Sequence, residues 1–194
     1  MNKIAQFLTK NGGIKHEELS FRKNETLFFE GDLCDHISVV LSGKVSIISY
    51  FDDGKEVVYN TIGKGGMFGN NLIFSSEPYY RGDVVANEDT EIAYISKNDL
   101  LESLSSKPEF LNLYLQLQSD FSKTLNFKIK LLTIDGAKER LMYYLTFNNN
   151  KVEYKSVTKL AKELYLTRET LSRTLSKLQN DGVIEIANKT IVLK

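Results

Sequence analysis

Residues 156–182 decide the fold and read SVTKLAKELYLTRETLSRTLSKLQNDG. Ser156 and Thr167 each precede a run with helical periodicity, and a hydroxyl at that position can accept the unpaired N–H groups of a first turn. Three leucines of the second run recur at intervals of four and three residues, on one helical face: Leu171, Leu175 and Leu178. The pattern predicts two short helices, joined by a tight turn, that bury these leucines.

The opposite face of the second helix is polar. Arg168 and Arg173 can each bond a guanine edge with two hydrogen bonds, and Glu169 can accept from cytosine N4. These three residues are therefore the predicted base contacts. The predicted contacts to the DNA backbone are the neighbouring hydroxyl and ammonium groups: Thr167, Thr170, Ser172, Ser176 and Lys177. The segment is thus a candidate helix-turn-helix for double-stranded DNA.

The residues after this helix add a wing and a positive charge. Gly182 is suited to end the helix, and runs 183–186 and 190–193 predict two strands around a turn. Residues 151–194 hold nine lysines and arginines against five acids, a net charge of +4, so the remaining residues carry −4. This asymmetry favours a segment that binds a polyanion, joined to a domain with another role.

The N-terminal half reads as short strands between glycine-bearing turns. Runs rich in Val, Ile, Phe and Tyr lie at 26–30, 37–41, 45–50, 57–62, 83–86 and 91–95. Asp53-Gly54 between two of them is a strong hairpin signal, because glycine adopts a positive φ without strain. Strands at this spacing predict an antiparallel sandwich or barrel.

Helical patterns follow the strands. Residues 97–103 predict a short helix, and Pro108 is suited to open a much longer one. One apolar stripe runs along the long helix: Phe110, Leu113, Leu117, Phe121, Leu125, Ile129 and Leu132. The stripe could pack only on its own β domain, but its length favours a parallel coiled coil with a second copy. We therefore expect three parts: a β domain at 1–107, a dimerisation helix at 108–134 and a DNA-binding domain at 135–194.

Several classes of protein do not fit the composition. Cys34 is the only cysteine and His16 and His36 are the only histidines, so we predict no metal site and no haem. No catalytic residues are predicted, since no Ser-His-Asp or paired-carboxylate pattern is recognisable. The sequence lacks a membrane-spanning run and a secretory signal, and a cytoplasmic protein is expected.

The chain resembles the family of the cyclic-AMP receptor and the fumarate–nitrate-reduction regulator, the CRP/FNR family, along nearly its whole length. The resemblance is carried by LTRETLSR at 166–173, LSKL at 175–178 and GVI at 182–184, and in the β half by FEGD at 29–32, LSGKV at 41–45, DGKE at 53–56 and MFG at 67–69. It implies an α+β protein with a jelly-roll-like antiparallel β-roll sensor, a long dimerisation helix and a C-terminal winged helix-turn-helix. It also implies a homodimer on a near-palindromic site, with half-sites about one helical turn apart.

The ligand positions depart from the family pattern. Members that bind cyclic nucleotides have Phe-Gly-Glu-Leu and then an arginine with a small hydroxyl residue, whereas this chain has FGNNL at 68–72 and places Tyr80 and Arg81 at that pair. Leu125 and Asn126 stand where a Thr-Ser pair would meet the base. The candidate effector pocket comprises Gly69, Asn70, Asn71, Leu72, Tyr80, Arg81, Leu125 and Asn126, and its altered residues argue against cyclic AMP.

Three hypotheses remain open from sequence. The first is a dimeric transcription regulator whose β-roll senses an unidentified small molecule, and which contacts RNA polymerase if it is an activator. The second is a regulator without an effector, controlled by its abundance or by a protein partner. The third is a β-roll enzyme with a degenerate DNA-binding tail, which the shortage of histidines disfavours.

Overall fold

The computed structural model describes residues 14–51 and 54–194. The chain divides into two compact units, one ending at Asp120 and the other comprising Phe121–Lys194, and each has a core of its own. Within the described ranges, no helix has the length and apolar character needed to cross a membrane.

The described residues of the first unit form eight strands in two four-stranded sheets. The strands are β1 Glu17–Phe21, β2 Thr26–Phe28, β3 His36–Ser42, β4 Lys44–Tyr50, β5 Glu56–Gly63, β6 Met67–Phe68, β7 Asp83–Ala86 and β8 Thr90–Ser96. One sheet has the order β1-β8-β3-β6 and the other β2-β7-β4-β5, and every pairing is antiparallel. The predicted antiparallel β-roll is confirmed, and β1 and β6 are strands that the sequence analysis did not predict.

The turn between β4 and β5 was predicted from Asp53-Gly54. Asp53 lies outside the described residues, whereas Gly54 has a φ of 78°. The strands on either side pair with Tyr50 opposite Glu56, as a hairpin requires.

Successive side chains of β3 lie alternately in two different apolar clusters. Cys34, just before the strand, and Val40 lie in the cluster inside the roll. Ile37 and Val39 lie in a second cluster, together with residues of the helices that follow. Because successive side chains of a strand point to opposite faces, one strand can join both clusters.

Among the described residues, two helices follow the strands of the first unit. Helix α1, Lys97–Ser106, is capped by Ser96, whose Oγ accepts from the Asp99 N–H at 3.1 Å. Helix α2, Pro108–Thr133, begins at the predicted proline and continues into the second unit.

The predicted dimer stripe is wrong in the first turns of α2. Phe110 is fully buried in the core of the first unit with Ile37 and Leu100, and Leu113 and Leu117 pack against the same core. This is the alternative in which the stripe packs on its own β domain. A side chain with no exposed surface cannot contact a second copy, so Phe110 is a core residue.

The exposed apolar face of α2 follows a different register. Steps of four and three residues lead from Leu111 to Leu115, then through the polar Gln118 and Ser122 to three more apolar residues. The exposed apolar residues on this line are Leu111, Leu115, Leu125, Ile129 and Leu132. Phe121 is half-buried and lies off it.

The second unit adds three helices and three strands to the end of α2. They are α3 Ala137–Phe147, β9 Lys151–Glu153, α4 Val157–Glu163, α5 Arg168–Asn180, β10 Ile184–Ala187 and β11 Thr190–Leu193. The strands form a sheet of order β10-β11-β9, so the predicted two-stranded wing is confirmed and β9 is an additional strand. Leu131 of α2 is buried with Leu141, Leu145 and Leu160.

Phe110→Ala is expected to destabilise the first unit by about 3–5 kcal/mol, because it leaves a cavity in a core that is closed on all sides. Gln116→Ala, on an exposed position of the same helix, is the matched control and is expected to change stability by less than about 0.5 kcal/mol. Urea unfolding followed by circular dichroism measures both. Equal small effects would show that Phe110 is not part of a closed core.

Candidate nucleic-acid interface

Two capped helices form the centre of the second unit. Ser156 Oγ accepts from the Lys159 N–H at 3.2 Å and begins α4, and Thr167 Oγ1 accepts from the Thr170 N–H at 3.1 Å and begins α5. Between them Tyr165 adopts a φ of 54°, in the left-handed region of backbone conformations. Both predicted caps and the tight turn are confirmed.

The three leucines fix which face of α5 points outward. Leu171, Leu175 and Leu178 are between 0% and 5% exposed and pack in the core of the second unit. Arg168, Glu169 and Arg173 are exposed on the other side. An α-helix with its side chains is about 10–12 Å across, and the major groove is wide enough to admit it.

The charged groups of this face have no partner in the described protein. None of the ion pairs among the described residues involves Arg168, Glu169 or Arg173. Their donors and acceptors are therefore available to a ligand. A bidentate arginine contact needs such an uncommitted guanidinium.

The hydroxyl groups predicted to contact the backbone divide into two kinds. Thr167 donates to Thr170 Oγ1 at 2.9 Å and Ser176 donates to the Ser172 carbonyl at 3.1 Å, so their protons are already used. The hydroxyl protons of Thr170 and Ser172 are not engaged in this way, and Lys177 is exposed. Ser172, Thr170 and Lys177 are the better placed donors for phosphate.

The wing follows directly from the end of α5. Gly182 has a φ of 71°, and the Val183 N–H donates to the Leu178 carbonyl at 3.0 Å, which closes the helix. β10 and β11 then pair with Ala187 opposite Thr190, leaving Asn188 and Lys189 as a two-residue turn with φ of 48° and 58°. This turn exposes Lys189 at the tip of the wing.

The second unit as a whole is positively charged. Residues 121–194 contain fourteen lysines and arginines and seven acids, a net charge of +7, so the other residues carry −7. The charge asymmetry predicted from 151–194 is therefore larger when the end of α2 and α3 are included. Neutralising phosphates with such charges supplies the part of DNA affinity that does not depend on sequence.

In the first unit, the two residues at the positions of the phosphate-binding pair, Tyr80 and Arg81, lie in different environments. Tyr80 is 3% exposed, and its ring stacks on Phe28 with centroids 5.1 Å apart. Arg81 points outward and forms an ion pair with Glu77 at 2.8 Å. The tyrosine thus occupies the interior of the roll, while the only cation of the pair lies on its surface.

Tyr80 belongs to a buried polar cluster that the sequence analysis missed. Its hydroxyl lies 3.0 Å from His36 Nε2, and His36 Nδ1 lies 3.0 Å from Asp35 Oδ1. Burial lowers the pKa of His36, and Asp35 partly opposes that effect. Cys34 is buried beside them, and burial raises its pKa above the ordinary range. The signal in the sequence was the alternation of β3, which places His36, Ser38 and Val40 on one face.

The remaining pocket candidates are spread over several environments. Gly69 has a φ of 80° and approaches the His36 carbonyl so closely that a Cβ would lie 2.7 Å from it. The Asn70 carbonyl accepts from Gln118 Nε2 at 2.8 Å, Asn71 is exposed and Leu72 is half-buried. Leu125 and Asn126 are exposed residues of α2 within the second unit. In the described part of the chain, no group of His, Cys, Asp and Glu residues could hold a metal ion.

Two protein-family models match the chain. A cyclic nucleotide-binding domain matches residues 18–107, and a Crp-like helix-turn-helix domain matches residues 139–194. Together they cover both halves of the architecture described above.

Relatives and solved structures agree with these models. The cyclic AMP receptor protein of Thermus thermophilus is 24% identical over 181 residues, which cover 90% of this chain and 82% of that protein. The anaerobic regulatory protein of Bacillus subtilis is 26% identical over 175 residues, covering 84% and 74%. The structure of FixK2 from Bradyrhizobium japonicum has the same fold, with a TM-score of 0.54 and 22% identity over 93% of each chain.

Stability of the first unit is expected to fall as the pH drops below about 6.5, the ordinary pKa of a histidine in an unfolded chain. Because the pKa of His36 is lowered in the folded protein, the unfolded chain binds the proton first, and acid favours unfolding. Unfolding free energies from urea titrations between pH 5 and 8 measure this. His36→Phe is expected to remove the slope and His16→Gln to leave it, whereas an unchanged slope in His36→Phe would refute the assignment.

Proposed function

The chain belongs to the CRP/FNR family of DNA-binding transcription regulators, and we propose that it reads DNA bases through Arg168, Glu169 and Arg173 of α5. One observation carries this proposal. The three side chains stand exposed and without ion-pair partners on the face opposite three buried leucines, in a unit of net charge +7. A carboxylate aimed at a polyanion is unfavourable unless it accepts from a base, and cytosine N4 offers that bond to Glu169.

We further propose that backbone contacts fix the position of α5 in the groove. Thr170, Ser172 and Lys177 would donate to phosphates on either side of the recognition face, with smaller roles for Thr167 and Ser176. Lys189 at the tip of the wing extends the same positive surface. These contacts set register and affinity, and the three base contacts set sequence preference.

The protein is proposed to act as a homodimer. The exposed residues Leu125, Ile129 and Leu132 of α2 continue the spacing of Leu111 and Leu115, which is the average of 3.5 residues that two-stranded coiled coils require. Pairing this face with its copy removes the apolar side chains from water. Two recognition helices related by a two-fold axis would read a near-palindromic site, with half-sites about one helical turn apart.

The β-roll is proposed to sense something other than cyclic AMP. A cyclic phosphate calls for a cation, and the phenol of Tyr80 provides none while its ring already fills the space against Phe28. The names of the relatives point to different signals, a cyclic nucleotide in one case and anaerobic conditions in another. Membership of the family therefore leaves the effector open.

A regulator with no effector is the second candidate, and the buried Tyr80 ring at the position of the phosphate-binding pair favours it. If the purified protein binds its site at full strength, and nucleotides and metabolites change neither affinity nor melting temperature, this candidate is supported. An enzymatic role has less support, since the relatives are regulators. We place the protein in the cytoplasm with the chromosome, and an activator would also contact RNA polymerase.

The proposed division of labour follows three parts of the chain: sensing by residues 1–107, dimerisation by 108–134 and DNA binding by 135–194. The packing of Leu131 in the second core extends the DNA-binding part into the last turns of α2. Signals from the roll would then reach DNA through α2, by favouring one arrangement of the two recognition helices over another.

Arg173→Ala is expected to weaken binding to a selected site by about 10- to 100-fold, because a bidentate base contact contributes roughly 1–3 kcal/mol of discrimination. Lys177→Ala is the matched comparison: it is expected to weaken binding to all sequences and to reduce the salt slope by about 1. Gel-shift titrations in rising salt measure both. If Arg173→Ala binds its selected site as tightly as the wild type, the base-reading role is lost.

Ile129→Asp is expected to convert the dimer into a monomer at micromolar concentration, since it buries a carboxylate in the apolar seam. Gln116→Asp introduces the same charge on an exposed position away from that face and is expected to leave the dimer intact. Sedimentation velocity determines the mass of each variant. A wild-type monomer, or a dimeric Ile129→Asp protein, would contradict the proposed interface.

A further inference from the structure

The turn between α4 and α5 contains a residue in an unfavourable conformation. Tyr165 has a φ of 54°, a region in which residues with a Cβ are strained and glycine is not. Its N–H donates to the Lys162 carbonyl at 3.1 Å, and the following Leu166 N–H donates to the Ala161 carbonyl at 2.8 Å. The recognition helix begins only three residues later, at Arg168. Any relaxation of this turn would therefore move the start of α5.

One side chain from another helix holds this turn. Arg140 of α3 donates from Nη1 to the carbonyls of Tyr165 at 2.9 Å and Leu164 at 3.3 Å. Leu164 is the C-cap residue that directly follows α4, where backbone carbonyls lack partners within the helix. A cation at this position also interacts favourably with the negative end of the helix.

The same guanidinium reaches a second segment of the chain. Arg140 Nη2 and Nε donate to the Ile134 carbonyl at 2.8 Å and 3.2 Å. Ile134 directly follows the last residue of α2, Thr133. The planar fork of arginine can bond both segments at once, whereas the single ammonium of a lysine cannot match that geometry.

We propose that Arg140 is a positioning residue for DNA reading, which holds the strained turn at Tyr165 and ties it to the end of α2. This inference rests on the proposed DNA-binding function. Two of its hydrogen bonds fix Leu164 and Tyr165, and through them the start of α5 and its base contacts, while the other two join this turn to Ile134. Because base readout requires side chains to be held within about 0.5 Å, a looser turn loses sequence preference before it loses general affinity for DNA.

The proposal also explains how a tyrosine is tolerated where glycine would be unstrained. Glycine would adopt this conformation without strain. With tyrosine at this position, the hydrogen bonds from Arg140 hold the turn instead. The effect of changing Arg140 on binding to the DNA site must then depend on which residue stands at position 165. Two residues with independent roles would show additive effects.

A double-mutant cycle tests this dependence. Arg140→Ala is expected to weaken binding to the selected site about tenfold, the loss expected for hydrogen bonds to a charged group, while binding to unrelated DNA at low salt changes less than about twofold. Arg140→Lys is expected to resemble Arg140→Ala, although it keeps the charge. In the Tyr165→Gly background, the same Arg140→Ala change is expected to cost less than about threefold, because glycine adopts the turn unaided.

Lys138→Ala is the matched control, since it removes one exposed cation from the same helix. It is expected to affect both kinds of DNA equally and weakly. If Lys138→Ala and Arg140→Ala weakened binding to the site equally, Arg140 would contribute only its positive charge, and the proposal would be wrong. Additive effects of Arg140→Ala and Tyr165→Gly would also overturn the proposal, as would wild-type site binding by Arg140→Ala.

Amide hydrogen exchange separates this inference from the proposed function. In the protein without DNA, Arg140→Ala is expected to speed exchange at Leu166 and Leu171 at least tenfold, and Tyr165→Gly is expected to restore much of the protection. If wild-type protein selects no DNA site, the proposed function fails by itself. Unchanged exchange in Arg140→Ala would refute the bracing role even where DNA binding is normal.

Discussion

The burial of three leucines on one side of α5 is the constraint on which the DNA-reading face depends. Removing Leu171, Leu175 and Leu178 from water contributes roughly 2 kcal/mol each, so the helix cannot turn about its axis without losing most of that energy. Rotation by a single residue, about 100°, would bury polar side chains in their place, among them Lys177 in one direction and Ser176 in the other. The orientation of Arg168 and Arg173 therefore follows from packing, whether or not DNA is present.

The sequence predicted most of what depends on local pattern. Local pattern decides the capping hydroxyls of Ser156 and Thr167, the opening proline of α2 and the apolar runs that form β3, β4 and β8, and each of these predictions was confirmed. Even the base-reading face follows from periodicity, since three leucines fix its opposite side. The roles assigned to that face remain predictions.

Features that depend on contacts between distant parts of the chain could not be predicted from the sequence. α2 carries apolar residues on more than one face, and only the packed fold decides that Phe110 faces its own sheet while Leu115 faces outward. The contact between His36 and Tyr80 joins residues 44 positions apart. From the sequence, Arg140 is indistinguishable from an ordinary surface arginine, and only the structure shows its hydrogen bonds to three backbone carbonyls. Short strands such as β9 form because a longer neighbour offers an edge to pair with, which propensity alone does not reveal.

Base reading by a packed, braced α5 is the central claim, and selection of DNA from a random pool tests it most directly. Purified wild-type protein is expected to enrich two inverted half-sites about one helical turn apart. A variant with Arg168, Glu169 and Arg173 all changed to alanine is expected to bind DNA at low salt but to enrich no sequence. Failure of the wild type to enrich any sequence, or enrichment of the same sites by the triple variant, would contradict it.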